Sequence, residues 1–362
     1  MPRVLILCAH RPKRSPSQRY RFEQYLPYLS AKGFEFTFSY LLNEEDDHTF
    51  YAKGKFPAKV FILLKSIGIR LKDWFRFKQF DIVFIQREAQ FLGFSFFEKR
   101  AFYSGAKVIF DFDDSIWLAD TSPGNQKWEW IKKPEKFYRS VFYAHTVIAG
   151  NHYLAKKAQP TNPHTVVIPT TIDTDQHRVM AHLRNSDKVV IGWSGSISTI
   201  KHFETLVPVF QKVVQQYPGQ IIVKVMGDPN YTCPTLPLTS IAWTESREVE
   251  ELNSFDIGLM PLPDDAWANG KCGLKGLSYM ACGVATIMSA VGVNKEIIQH
   301  RENGLLVSNE TEWLEALCLL IENKDLRNKL GMAGRLTVEK SYSVMAQQEN
   351  YLKVFRDVQS HS

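Results

Sequence analysis

The chain has 362 residues, 44% apolar and 23% charged, with a net charge of +6. That length exceeds one typical core and points to two domains, and the balance excludes a disordered or fibrous chain. No run of about 18 apolar residues is present, which excludes a membrane-spanning helix. The five cysteines (Cys8, Cys233, Cys272, Cys282 and Cys318) show no CxxC pair and no metal spacing, as expected of free thiols in a reducing cytosol.

The N-terminal VLILCA (4–9) is too short for a signal peptide and reads as a first strand. Arg19, Arg21 and Glu23 follow it in SPSQRYRFEQYL, where a loop and helix N-terminus suit either a phosphate-bearing acceptor or a surface helix capped by Ser15 or Ser17. Between Lys53 and Lys78 there are eight Lys/Arg and one acid, Asp73, interleaved with Phe56, Phe61, Trp74, Phe75 and Phe77. This segment reads as an interfacial helix on a membrane surface, or equally as a helix that packs its apolar face on the protein under a solvated basic rim. Nucleic acid fits less well, because no sustained basic stripe or binding motif accompanies the cluster.

Apolar runs at 4–9, 34–41, 81–86, 107–112, 146–150 and 165–169 alternate with helical stretches. A second set lies at 188–195, 220–227, 255–261, 284–289 and 304–307. Such alternation predicts parallel sheets covered on both faces, and two sets predict two doubly wound α/β domains. The polar stretch 172–187 lies between them. Ligands of such sheets sit outside the carboxyl ends of the strands, so two facing domains would offer an interdomain cleft.

Two features lie at predicted strand ends. Asp111, Asp113 and Asp114 end the 107–112 run, where they suit acceptor or catalytic contact, a divalent metal on a diphosphate, or helix capping. His10 and His164 are single strand-end histidines that read as structural. In the second half, Lys271 and Lys275 lie in a Gly-containing turn that opens a helix ending at Gly283. A helix N-terminus with two ammonium groups suits a phosphate or diphosphate, against the plain alternative of an exposed lysine pair on a surface helix.

The second half resembles the nucleotide-binding domain of the retaining GT-B glycosyltransferases of family 4, the glycosyl transferases group 1. The matching segments are GWSGSISTIKHFETL (192–206), MGDP (226–229), WTES (243–246), FDIGLMPL (255–262), GLSYMACGVATIMSAVGVNKEII (276–298) and ENGLLV (302–307). The first half resembles that family's acceptor domain more loosely, through 17–36, DFDDSIW (111–117) and AGNHYLAKKA (149–158). The resemblance implies a GT-B fold of two Rossmann-like domains facing a cleft. It places an acceptor-side domain at 1–178, with a returning helix at 343–362, and a donor-binding domain at 179–342. Gly195 and Lys201 match positions at the donor diphosphate, with Ser196 where the family carries arginine. Gly227 and Thr244 match the base pocket, and Asn294 and Glu296 sit in the loop before the following helix. The family's paired glutamates fall at Gly270 and Ser278, with Lys271 and Lys275 beside them.

The implied function is a hexosyltransferase-type reaction that moves a sugar from a nucleotide-sugar, with retention, to a glycan or lipid-linked acceptor in cell-surface polysaccharide or glycolipid synthesis. Asp113, Lys201 and Lys275 are the expected catalytic residues. Gly195, Ser196, Lys201, Gly227, Thr244, Lys271, Lys275, Asn294 and Glu296 are the expected donor-binding residues. No metal and no cofactor beyond the donor is expected, nor is nucleic acid. The expected location is cytoplasmic, with peripheral membrane contact through 53–78. Rival readings are a nucleotide-sugar epimerase or hydrolase, and a non-catalytic membrane-associated scaffold of the same fold.

Overall fold

A computed structural model describes residues 1–52, 54–118, 133, 135–184 and 186–360. Lys53, which opens the basic segment, and residues 361–362 of the expected C-terminal helix lie outside the described residues. The chain divides into two compact units: Met1–Thr170 with Gln347–Ser362, and Thr171–Ala346.

The first unit is built on a parallel sheet of β1 (Arg3–His10), β2 (Glu35–Leu42), β3 (Ile82–Gln86), β4 (Lys107–Phe112), β5 (Thr146–Ala149) and β6 (Thr165–Val167). Their order is β2-β1-β3-β4-β5-β6. Val4, Leu5, Leu7, Ile82, Val83, Val108 and Ile109 are fully buried, as continuous apolar strands covered on both faces require. The C-terminal helix Val344–Ser360 sinks Tyr351, Leu352, Phe355 and Val358 into this unit through its portion from Gln347 onward. Tyr351 stacks on Tyr25 with ring centroids 4.1 Å apart, and Phe355 stacks on Phe84 at 6.0 Å.

Arg21 does not face an acceptor, as a cleft-facing loop would have it. Its side chain is fully buried, and Nη2 donates to Asp111 Oδ1 at 2.6 Å while Nη1 donates to the Ile168 carbonyl at 2.5 Å. Tyr351 Oη donates to the Arg21 carbonyl. One guanidinium thereby ties the segment after β1 to the ends of β4 and β6.

The second unit holds β7 (Val189–Ser194), β8 (Ile221–Gly227), β9 (Leu238–Ala242), β10 (Ile257–Met260), β11 (Ala285–Ser289) and β12 (Leu305–Val307). All are parallel, in the order β12-β11-β10-β7-β8-β9. Strand β9 was not among the expected runs: LTSIA is a short edge strand, half-buried at best, and its mixed composition hides it. The order reverses between β7 and β10, which makes their carboxyl ends the topological switch point where ligands of such sheets bind.

Two glycines shape that edge. Gly227 ends β8 at φ +154°, and a Cβ there would lie 1.9 Å from the Gly195 carbonyl oxygen. Gly195 N–H donates to the Met226 carbonyl at 2.9 Å, and its own Cβ would meet the Trp193 ring at 2.4 Å. The ends of β7 and β8 approach each other only without side chains.

Removing a partner from a buried ion pair leaves an uncompensated charge, at a cost of about 3–5 kcal/mol, whereas replacing both with apolar groups is near neutral. Urea denaturation is therefore expected to show a loss of that size for Arg21→Ala. Arg21→Met combined with Asp111→Leu is expected to restore most of it.

Candidate functional site

The second unit's switch point gathers the lysines. Gly195 follows β7, and Ser196 starts a 3₁₀ turn, Ile197–Thr199, that leads directly into the short helix Ile200–Glu204. Lys201 stands exposed on that helix beside the buried His202. On the other side of the switch point, the chain leaves β10 and forms the single-turn helix Ala266–Asn269, capped by Asp265, whose side chain accepts from Ala268 N–H. Lys271 follows, with Nζ 4.8 Å from the centroid of the Trp267 ring. Gly273 then adopts φ +73° and starts the helix Leu274–Ala281, with Lys275 in its first turn.

Lys275 holds these pieces in register. Its Nζ lies 3.4 Å from Thr199 Oγ1, on the β7 side, and 5.0 Å from the centroid of the Trp193 indole. Trp193 is buried, so its ring forms a fixed cation–π shelf under the ammonium. Beneath the helix, Gly276 is closed over Met288, where an added Cβ would lie 1.7 Å from the methyl. Tyr279 Oη accepts from Ser194 N–H at 2.8 Å, and this bond clamps the same helix to the end of β7.

The charge of the cluster is registered by His202. Burial, followed by the nearby Lys275, Lys201 and Lys271, pushes its imidazole down to about 4. Lys201 and the Lys271–Lys275 turn, about 70 residues apart in sequence, thus both lie near one buried ring. Near neutral pH the histidine is uncharged and adds no fourth cation.

The other expected donor-side residues are scattered in character. Gly227 is at the edge just described. Thr244 is exposed in the turn after β9. Asn294 and Glu296 are not in a loop: both belong to the short helix Asn294–Ile297. Asn294 is fully buried and donates from Nδ2 to the Ser289 carbonyl at 3.0 Å, so it pins that helix to β11, while Glu296 is exposed. The helix has no side-chain cap, and its Ile297 is buried.

In the first unit the acidic run is matched by arginines. Asp111 carries Arg21, while Arg87, which follows β3 at φ +63°, donates to Asp114 Oδ2 at 2.7 Å and lies 3.6 Å from Asp113 Oδ1. Burial raises the Asp113 carboxyl, and Arg87 pulls it back down. The order of this sheet reverses between β1 and β3, so Arg87 and the segment after β1 share a second switch point. There His10 stacks on Tyr51, and Asp47 takes contacts from His10, Arg11 and Arg14. A cavity of about 460 Å³ is lined by Arg11, Arg14, Glu44, Asp47, His48 and Tyr51. His10 Nδ1 lies 3.3 Å from Asp47 Oδ1, and at His164 the backbone carbonyl accepts from Val147 N–H.

Sequence reasoning did not single out Arg87, Trp193, Thr199 or His202. Arg87 and Thr199 carried a signal in their position just past predicted strands. Trp193 looked like an ordinary core aromatic.

Residues 188–323 match the family model of the glycosyl transferases group 1. That match lies within the second unit, and the chain has the GT-B fold. It is 26% identical over 190 residues to N-acetyl-alpha-D-glucosaminyl L-malate synthase of Bacillus anthracis, a match that covers 48% of each chain. The chain thus spans about half the length of that curated relative in alignment. Sucrose-phosphate synthase of Thermosynechococcus elongatus superposes with a TM-score of 0.72 at 15% identity over 100% of both chains. Anabaena HepE, solved with UDP and glucose, superposes with a TM-score of 0.70 at 11% identity over 99% of this chain and 100% of its own.

Three like charges near His202 oppose its protonation, so removing one raises its pKa. In Lys275→Ala the imidazole is expected to titrate higher than about 4, yet still below an ordinary histidine because burial is the larger cause. Histidine ring resonances followed by NMR from pH 3 to 8 check this, and an unmoved His202 would separate Lys275 from the cluster.

Proposed function

We propose that this protein is a retaining, GT4-like hexosyltransferase that moves a sugar from a nucleotide-sugar to a glycan or lipid-linked acceptor in cell-surface polysaccharide or glycolipid synthesis. The observation that carries the reading is the placement of Lys201 after β7 and of Lys271 and Lys275 after β10, on the two sides of one switch point, with Lys275 Nζ 3.4 Å from Thr199 Oγ1 across it. Cleavage of a sugar–diphosphate bond builds negative charge on the leaving oxygens, and preorganised cations aimed there lower the barrier. Lysine supplies a compact charge on a flexible stem, which suits a phosphate that gains charge during the reaction. Gly195, free of a side chain, lets the backbone approach the diphosphate. Ser196 stands with Gly195 and Lys201 beside the diphosphate, Gly227 and Thr244 line the base pocket, and Asn294 and Glu296 complete the donor-binding set.

Asp113 is the proposed acceptor-side catalytic contact. It stands at a strand end with Arg87 within ion-pair distance, so its carboxylate is held in place before a substrate arrives. HepE, a fold relative solved with UDP-glucose, supports a nucleoside diphosphate sugar as donor. The five free cysteines, with Cys8, Cys272 and Cys282 buried, agree with a cytoplasmic setting. No described helix is long and apolar enough to cross a membrane.

The scaffold reading draws on the departures at Ser196, Gly270 and Ser278, and the gathered lysines weigh against it. Titration calorimetry with UDP and GDP separates the two, because a scaffold would bind neither. Lys271→Ala with Lys275→Ala is expected to lower turnover of the nucleotide-sugar by about 100-fold or more while the fold melts normally. Unchanged turnover in that variant would remove the lysines from the site.

A further inference from the structure

The helix Phe56–Arg76 in the first unit is turned inside out relative to an ordinary surface helix. Its inward face buries Lys59, Ser66, Arg70 and Asp73 along with Ile62. Arg70 is held there by every guanidinium nitrogen: it donates to the carbonyls of Cys8, Ser39 and Ala89, to Ser39 Oγ at 2.8 Å and to Asp73 Oδ2 at 2.9 Å. Asp73 also accepts from Ser39 Oγ and Arg76. This polar network locks the helix onto β1 and β2. The outward face carries Phe61, Leu64, Leu71 and Phe75, which are 67%, 61%, 38% and 75% exposed.

Those four lie at i, i+3, i+10 and i+14, with Gly68 filling the i+7 position, so they form one continuous stripe along the helix. Phe56, 60% exposed, starts it, and Phe96, 45% exposed, adjoins its far end through Trp74. The interior of the unit does not account for these residues, since the packing face is already occupied. A sequence reading in which the apolar side packs inward under a solvated basic rim is thus reversed for most of the helix.

The charge around the stripe identifies the occupant. Lys55, Lys72, Lys78 and Lys99 are exposed on its borders. Within residues 54–80 the one acid is Asp73, which is buried and neutralised by Arg70 and Arg76. Lys65 is taken up by Asp46 of the neighbouring helix. An apolar stripe with a one-sign cationic border matches an anionic lipid surface, where aromatic side chains enter the acyl boundary and lysines meet headgroups. A second copy of the same face would bring like charges together.

We infer that the outward face of the Phe56–Arg76 helix docks the protein on an anionic bilayer surface, with Phe61, Leu64 and Phe75 inserted and Lys72 and Lys78 on the headgroups. This inference is independent of the donor reading, because it uses no residue of the second unit. The test is co-sedimentation of the full chain with vesicles of 30% phosphatidylglycerol in phosphatidylcholine, against phosphatidylcholine alone. The full chain is expected to bind the anionic vesicles, to bind the neutral ones far more weakly, and to be released by salt. A Phe61→Ser, Leu64→Ser, Phe75→Ser variant and a Lys72→Glu, Lys78→Glu variant are each expected to bind about tenfold more weakly or less. Because the changed side chains are exposed, both variants should melt like the parent and keep its response to UDP. Absence of binding by the parent, or equal binding by either variant, overturns the inference. So does a serine variant that changes the oligomeric state by light scattering while its vesicle binding stays the same, which would make the face a contact between copies.

Discussion

The switch point between β7 and β10 is the constraint on which the second unit's chemistry depends. Only because the order of the sheet reverses there do the segments after these two strands diverge and leave room between them. Lys201 arrives from one segment, Lys271 and Lys275 from the other. Like charges do not gather spontaneously, so the cluster is held by neutral anchors: the Trp193 shelf, the Thr199 hydroxyl, and the bond from Ser194 N–H to Tyr279. Folding has already met the cost of bringing the ammonium groups together, and a diphosphate would meet a prepared field rather than have to assemble one.

The first unit uses charge in the opposite way. Three of its arginines are paired with carboxylates, Arg21 with Asp111 and Arg70 with Asp73 in the interior, and the half-buried Arg87 with Asp113 and Asp114. Desolvating such pairs is expensive, and each is retained with additional hydrogen bonds that tie separate chain segments to the sheet. Arg21 joins the segment after β1 to β4 and to the backbone after β6, while Arg70 joins a long helix to β1 and β2. The same economy frees the outer face of that helix from any packing duty, so large apolar side chains can stand in solvent without loss of the fold.

Different parts of this plan were legible in the sequence to different degrees. Eleven of the strands follow from continuous apolar runs, because a parallel strand buried on both faces leaves that mark whatever surrounds it. The twelfth, β9, lies at an edge with partial burial, and its residues report that ambiguity. The turn with Lys271 and Lys275 was recognisable as a candidate anion site from local chemistry alone, since the glycine, the helix start and the lysines lie within five residues. Asn294 was misread as a loop residue because its burial against β11 comes from packing.

What the sequence by itself determined is therefore the periodic part: two doubly wound units, their strands, a basic and apolar helix, and a lysine-bearing turn at a strand end. Those properties depend on neighbours a few residues apart. Tertiary structure alone decided which charges meet. It brought Lys201 to the same switch point as Lys271 and Lys275, 70 or more residues along the chain, and placed Arg21 on Asp111 across 90. It also chose which side of the Phe56–Arg76 helix faces inward. A helical periodicity separates two faces but does not say which one packs; that choice fell to Arg70, whose guanidinium found buried acceptors on β1, β2 and the loop after β3.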